Sequence, residues 1–147
     1  MQIRVAAESD IPSILFLYAQ LEQNKEATVS LPGAMEIFQR IESYPNYHIY
    51  VAERHGEVVG TFSLAIMDNL AHNGAKSGLV EDVVVEEKLR NMGIGKEMML
   101  YAMELCKQNF CYKVCLSSNL KRDNTHRFYE SLGFQKHGFS FQVILDF

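Results

Sequence analysis

The residues able to do chemistry concentrate between Leu79 and Gln108. An apolar run interrupted by two acids, Leu79-Val80-Glu81-Asp82-Val83-Val84-Val85, leads into Arg90-Asn91-Met92-Gly93-Ile94-Gly95 and then into a helical pattern. A β-branched run feeding a glycine-bearing turn that opens a helix is a device for holding phosphate. The unpaired N–H groups of the helix start and the positive end of its dipole point at the anion. Glycine at 93 and 95 removes Cβ atoms that would keep a diphosphate away, and Arg90 adds a planar cation beside the cradle. The acids suggest a second kind of chemistry. A carboxylate within a strand loses hydration unless it finds partners, so Glu81 and Asp82 stand either at an exposed edge or in a working site. Successive strand side chains face opposite sides, so both can enter one cleft only across a bulge.

Two rival phosphate motifs are excluded. A nucleotide P-loop needs glycine where Arg90 stands and Ser or Thr after its lysine, but Lys96 is followed by Glu97. The dinucleotide fingerprint needs a third glycine where Met98 stands. What remains resembles the Arg-x-x-Gly-x-Gly pattern of the GNAT acetyltransferases, and Phe128-Tyr129-Glu130-Ser131-Leu132-Gly133-Phe134 resembles that family's second signature.

The resemblance implies a GNAT fold of the α/β (α+β) class, with a mixed, mostly antiparallel sheet of about seven strands flanked by about four helices. It implies acetyl-CoA as co-substrate, held by Val83, Val84 and Val85, by Arg90, Asn91, Met92, Gly93, Ile94, Gly95 and Lys96, and by Asn124 and Tyr129. Glu81 matches the acid that many GNAT enzymes use as a base through water, and Asp82 a structural neighbour. Read from residues alone, Tyr129 is a core aromatic with its hydroxyl at the surface. Read through the resemblance, its phenol protonates the departing CoA thiolate, a group of pKa about 8.5. The acceptor ammonium, with pKa roughly 10, must first lose a proton, and a backbone N–H near Val83 would steady the oxyanion formed on attack.

The acceptor is less determined. The run Ser118-Asn119-Leu120-Lys121-Arg122 with His126-Arg127-Phe128-Tyr129 is similar to the aminoalkylphosphonate N-acetyltransferases, as is the approach from Leu70-Ala71-His72 to Gly78. Val80 to Val85 and Cys111-Tyr112-Lys113 are similar to glucosamine-phosphate N-acetyltransferases. Arg122 could pair with a phosphate or phosphonate of CoA or of the substrate, and His126 could touch the substrate or only support packing. Peptide or protein acetylation, a non-enzymatic acetyl-CoA-binding regulatory module and a purely structural domain stay open. Some phosphonate acetyltransferases use a divalent metal; the scattered His48, His72 and His126 establish no site by their spacing.

The elements that must position these residues read as one domain, 1–147. With 48% hydrophobic residues the chain can bury one ordinary core, and 147 residues are too few for two comfortable ones. A net charge of -4 leaves no basic surplus for nucleic acid or an anionic membrane. No apolar span approaches the roughly 20 residues of a membrane helix, and the start lacks a secretory layout, so a cytoplasmic protein is expected. Cys106, Cys111 and Cys115 are odd in number and lack paired spacing, which favours reduced thiols over a disulfide or zinc framework.

In order, the pattern predicts a strand at Ile3 to Ala6, a helix capped by Ser9 or Asp10, and a polar connection at 23–30. A helix from near Pro32 to Ser43 follows, then a hairpin of Tyr47 to Arg54 and Glu57 to Met67. The acid-bearing strand and the glycine-turn helix come next. The rest is a strand at Val114 to Ser117, a helix at Asp123 to Leu132 and two strands within Gln135 to Leu145. An exposed last strand could pair two chains into a homodimer.

Overall fold

A computed structural model of the chain describes residues 1–21 and 29–145. Most of the anticipated polar connection at 23–30 therefore lies outside the described residues. The chain divides into two compact units, 1–116 and 117–147, which are described separately.

The first unit is built on a five-stranded sheet in the order β1-β2-β3-β4-β5. The strands are β1 (Gln2–Val5), β2 (Tyr47–Arg54), β3 (Glu57–Met67), β4 (Lys76–Val85) and β5 (Cys111–Leu116). The first three pairings are antiparallel and β4–β5 is parallel, so the sheet is mixed and mostly antiparallel. The β2–β3 hairpin closes around His55-Gly56, both at positive φ, as the His-Gly turn predicts.

Helices cover both faces. On one side α1 (Ile11–Tyr18) and α2 (Leu31–Glu42) bury Ile11, Ile14, Ala34 and Phe38 against Val51 and Ala6. The Ser30 hydroxyl caps α2 by accepting from the Gly33 N–H at 3.3 Å, and Pro32 fits the first turn. Asp10 precedes α1 without capping it through its side chain. Its carboxylate instead accepts from the Ala7 N–H at 2.8 Å and from Arg4 at 2.6 and 3.0 Å, and Arg4 also reaches Glu53 at 2.8 Å. On the other side α3 (Ile94–Gln108) buries Ile94, Met98, Met99, Ala102 and Cys106. It lies close because β3 and β4 present Gly60 and Gly78 to it: a Cβ at Gly60 would meet Met98 Sδ at 2.7 Å, and one at Gly78 would meet Cys106 Sγ.

The second unit holds α4 (Asp123–Ser131), on which Tyr129 packs between Phe128 and Phe134 with ring centroids 5.2 and 5.7 Å away.

Two expectations need correction. About seven strands were anticipated and the described residues form five, because 135–145 take up neither helix nor strand. Alternating side chains create a face, but a strand also needs a partner edge for its backbone groups, and this run has no ladder partner among the described residues. The fifth strand begins at Cys111 rather than Val114, since pairing from Lys76↔Cys111 to Val80↔Leu116 recruits residues whose side chains carry no strong strand pattern.

Candidate active site

The acid pair sits on an irregularity in β4. Ser63 pairs with Glu81 and Thr61 with Val84, so three steps along β4 oppose two along β3. The extra residue is Asp82, at φ 51, a left-handed conformation that Asp tolerates better than most residues. This is a β-bulge, and it changes which side chains share a face. Gly60 faces α3, so Thr61 and Ser63 face the α1 side, and Glu81 and Val84 follow them through their pairings. The bulge thus supplies the condition under which both acids can serve one side of the sheet.

Electrostatics agree with that geometry. Partial loss of hydration raises the Glu81 carboxyl above its ordinary value, and the neighbouring Asp82 charge raises it further. Tyr18, at the end of α1, approaches the same place. Burial pushes its phenol up, the charge of Asp82 adds to that, and a hydrogen bond with Thr61 opposes it. The Thr61 hydroxyl donates to the Tyr50 carbonyl at 2.8 Å and the Ser63 hydroxyl to the Glu81 carbonyl at 3.3 Å. Thr61 and Ser63 are buried polar residues in an otherwise apolar strand. In the sequence Tyr18 reads only as part of an apolar helix stripe; the signal for the rest is the Thr-x-Ser step within β3.

At the end of β4 the chain turns into a glycine-capped helix start. Gly93 is the N-cap of α3 at φ 85, where a side chain would be strained, and space around its missing Cβ is open. Helical bonding begins with the Glu97 N–H to the Gly93 carbonyl at 3.1 Å, so the N–H groups of Ile94, Gly95 and Lys96 face the open end. Those donors suit a diphosphate oxygen. Arg90 is anchored by its Nε to the Val85 carbonyl at 3.2 Å, which leaves its terminal nitrogens beside the turn. Asn91 takes a left-handed φ of 62. Ile94 and Val84 are buried, so they offer backbone rather than side chain, while Val83 and Val85 are half-buried and Met92 is exposed.

In the second unit Arg122 is the N-cap of α4, and Asn124 lies in its first turn, exposed. The His126 Nε2 lies 2.8 Å from the Asn119 carbonyl, a bond that ties the helix to the loop before it. Burial raises the Tyr129 phenol above its ordinary value and the Arg122 charge partly offsets that, so the hydroxyl stays protonated near neutral pH and remains a donor. Ser118 Oγ is shielded from solvent and has no protein partner among the described residues. Such an orphaned hydroxyl is one that a ligand could complete.

The buried Cys106 is poorly placed to act as a nucleophile. Burial, followed by the neighbouring Cys111, pushes the Cys106 thiol up to about 12, far from the thiolate that covalent catalysis needs. Among the described residues no group of three or more His, Cys, Asp or Glu side chains is disposed to hold a metal ion. His72 instead stacks on Tyr112, with ring centroids 4.2 Å apart.

A mixed sheet that ends a strand in a glycine turn and a helix start, with a carboxylate pair one bulge earlier, defines an α/β protein able to hold a phosphorylated ligand beside an acid. The sequence profile described as "Acetyltransferase (GNAT) family" matches residues 14–134. The chain belongs to that family, whose members use acetyl-CoA as co-substrate, and is an N-acetyltransferase. It is similar to a glucosamine 6-phosphate N-acetyltransferase of Trypanosoma brucei brucei, 32% identical over 138 residues, covering 93% of this chain and 90% of that one. It is also similar to an aminoalkylphosphonate N-acetyltransferase of Salmonella typhimurium, 31% identical over 144 residues, covering 98% of this chain and 91% of that one. Among solved structures it resembles glucosamine-6-phosphate N-acetyltransferase from Arabidopsis thaliana, with TM-score 0.86 and 29% identity over 99% of this chain and 98% of that one.

Proposed function

We propose that this N-acetyltransferase moves an acetyl group from acetyl-CoA to the primary amine of a small molecule that also carries a phosphate or phosphonate. The observation that carries this reading is the Asp82 bulge, which supports a negatively charged, partly dehydrated place for an ammonium group. The anionic half of the acceptor is supported by the two relatives just described, whose names join an amine to a phosphorus oxyanion.

In this reading the chain works as one domain, 1–147, and as a homodimer. The helix-start N–H groups of 94–96 and the Arg90 guanidinium grip the diphosphate of acetyl-CoA, with Val83 to Val85 alongside. Asn91, Met92 and Gly93 shape the turn, and Asn124 adds a polar contact. Glu81, directly or through water, takes the proton that the acceptor ammonium must lose before its nitrogen attacks. A β4 backbone N–H near Val83 steadies the developing oxyanion. Tyr129 returns a proton to the thiolate as the C–S bond breaks. Arg122 and the free nitrogen of His126 serve the phosphorus group of the acceptor. Attack by the amine is direct, in a ternary complex, and no cysteine is acylated.

The experiment is release of CoA thiol from acetyl-CoA with aminoalkylphosphonates, glucosamine 6-phosphate, polyamines and short peptides as acceptors, each with and without a divalent metal. Turnover confined to the first two acceptors supports the proposal. Turnover only with peptides, or with amines lacking phosphorus, sinks it, and dependence on added metal would bring the scattered histidines back into question.

A further inference from the structure

The turn that delivers Arg90 has an anchor outside its own segment. Glu87–Leu89 form a short 3-10 turn between β4 and Arg90. Its internal bonds run from the Leu89 N–H to the Glu86 carbonyl at 2.9 Å and from the Arg90 N–H to the Glu87 carbonyl at 3.4 Å. The first N–H groups of such a turn find no acceptor within it. Here two other elements supply them. The Val59 carbonyl of β3 accepts from the Glu86 N–H at 2.9 Å, and the side-chain Oε1 of Gln20 accepts from the Glu87 N–H at 2.9 Å, across 67 residues of sequence.

Gln20 is itself held in place. It lies just past the end of α1, where the Gln20 N–H donates to the Leu17 carbonyl at 3.0 Å and the Leu21 N–H to the Tyr18 carbonyl at 2.9 Å. α1 packs on β3 and β4, and two residues before Gln20 the Tyr18 phenol meets Thr61 and the charge of Asp82. One helix end therefore touches both the strand that carries the acids and the turn that carries Arg90. The bond at Glu87 is exposed, so water can replace it at little cost to stability. Water does not, however, fix where the turn lies.

We propose that Gln20 is a positioning residue for acetyl-CoA: by holding the Glu87 N–H it fixes the 86–90 turn, and with it the place of the Arg90 guanidinium beside the start of α3. This rests on the reading that Arg90 and the N–H groups of 94–96 grip the diphosphate. A guanidinium binds phosphate through a planar fork, so its worth depends on direction as well as distance. Arg90 keeps its own bond from Nε to the Val85 carbonyl, but the backbone that carries it follows the turn. A turn anchored at both Val59 and Gln20 presents the fork already aimed, and the ligand does not have to order it on binding.

The test is calorimetric titration of acetyl-CoA into the full chain, which requires no acceptor. Gln20→Met keeps the length of the side chain and removes its acceptor. It should weaken acetyl-CoA binding by about three- to tenfold and leave the melting temperature of the free protein unchanged. Arg90→Gln should also weaken binding, and the double variant should bind no more weakly than Arg90→Gln alone, because Gln20 acts through Arg90. In the CoA-release assay the KM for acetyl-CoA should rise by the same factor with kcat unchanged. Wild-type binding by Gln20→Met beside weak binding by Arg90→Gln overturns this proposal and leaves the cradle reading standing. Wild-type binding by Arg90→Gln overturns both. Additive losses in the double variant, or a fall in kcat without a rise in KM, overturn the role of Gln20. If Gln20→Met does not fold, hydrogen exchange on the unaltered chain decides: the Glu87 amide should be protected, and exchange at the rate of a free peptide overturns the proposal.

Discussion

At the residue scale, the decisive feature is one left-handed aspartate. The Asp82 bulge makes Glu81 a neighbour of a second negative charge, and both desolvation and that charge raise its carboxyl. A base works only when deprotonated, so activity should fall on the acid side with an apparent pKa above the ordinary carboxylate range. Replacing Asp82 by Asn keeps a residue that accepts positive φ and removes the charge. The acid limb of the kcat/KM profile should then move to lower pH, while Glu81→Gln should lower kcat by about 10²-fold or more. An unmoved limb would separate Glu81 from the proton transfer. For Tyr129, removal of the hydroxyl by Tyr129→Phe should lower kcat with little change in KM for acetyl-CoA, read by steady-state kinetics. Glu81 and Tyr129 were both singled out in the sequence as candidates by their motifs. The bulge was not, because it is a mismatch between two strands and neither strand alone contains it.

At the element scale, stability rests on a few close contacts between elements. α3 meets β4 where Gly78 leaves room for Cys106, so Gly78→Ala should cost about 1–3 kcal/mol by overpacking, measurable as a lower urea midpoint with unchanged m. β1, the start of α1 and β2 are joined by Arg4 with Asp10 and Glu53. The Arg4 hydrogen bonds, and to a lesser degree that from the Ala7 N–H, hold Asp10 below the usual carboxylate range despite its burial. A depressed folded-state pKa contributes stability that is fully present above the unfolded value of about 3.9 and is lost as pH falls through the folded value. Asp10→Asn should therefore lower stability by about 2 kcal/mol at neutral pH and flatten its dependence below about pH 4. Chemical denaturation across pH 2 to 7 checks both. The sequence showed Asp10 as a helix cap; its role as the hub of an ion network required knowing that β2 brings Glu53 alongside Arg4.

At the scale of the whole molecule, acetyl-CoA should act as a stabiliser because the cradle exists only in the folded chain. At about a hundred times its Kd, one bound molecule adds about 2.7 kcal/mol, or roughly 5–10 °C in melting temperature for a chain of this size. Arg90→Gln should reduce that shift without altering the melting temperature of the free protein. Scanning calorimetry with and without the co-substrate reads both effects.

What the sequence determined by itself was local and periodic. The glycine turn, the hairpin at His55-Gly56 and the family signature around Tyr129 all lie within runs short enough to read without a partner. Tertiary structure decided what depends on two distant segments meeting. Pairing of β3 with β4 made the bulge, packing of α1 brought Tyr18 to Asp82, and pairing with β4 drew Cys111 into β5. The same physics explains the tail, where residues 139–145 have the side-chain pattern of a strand and lack an edge within the described structure. A strand is defined by the hydrogen bonds of its neighbour, and those are not written in its own residues.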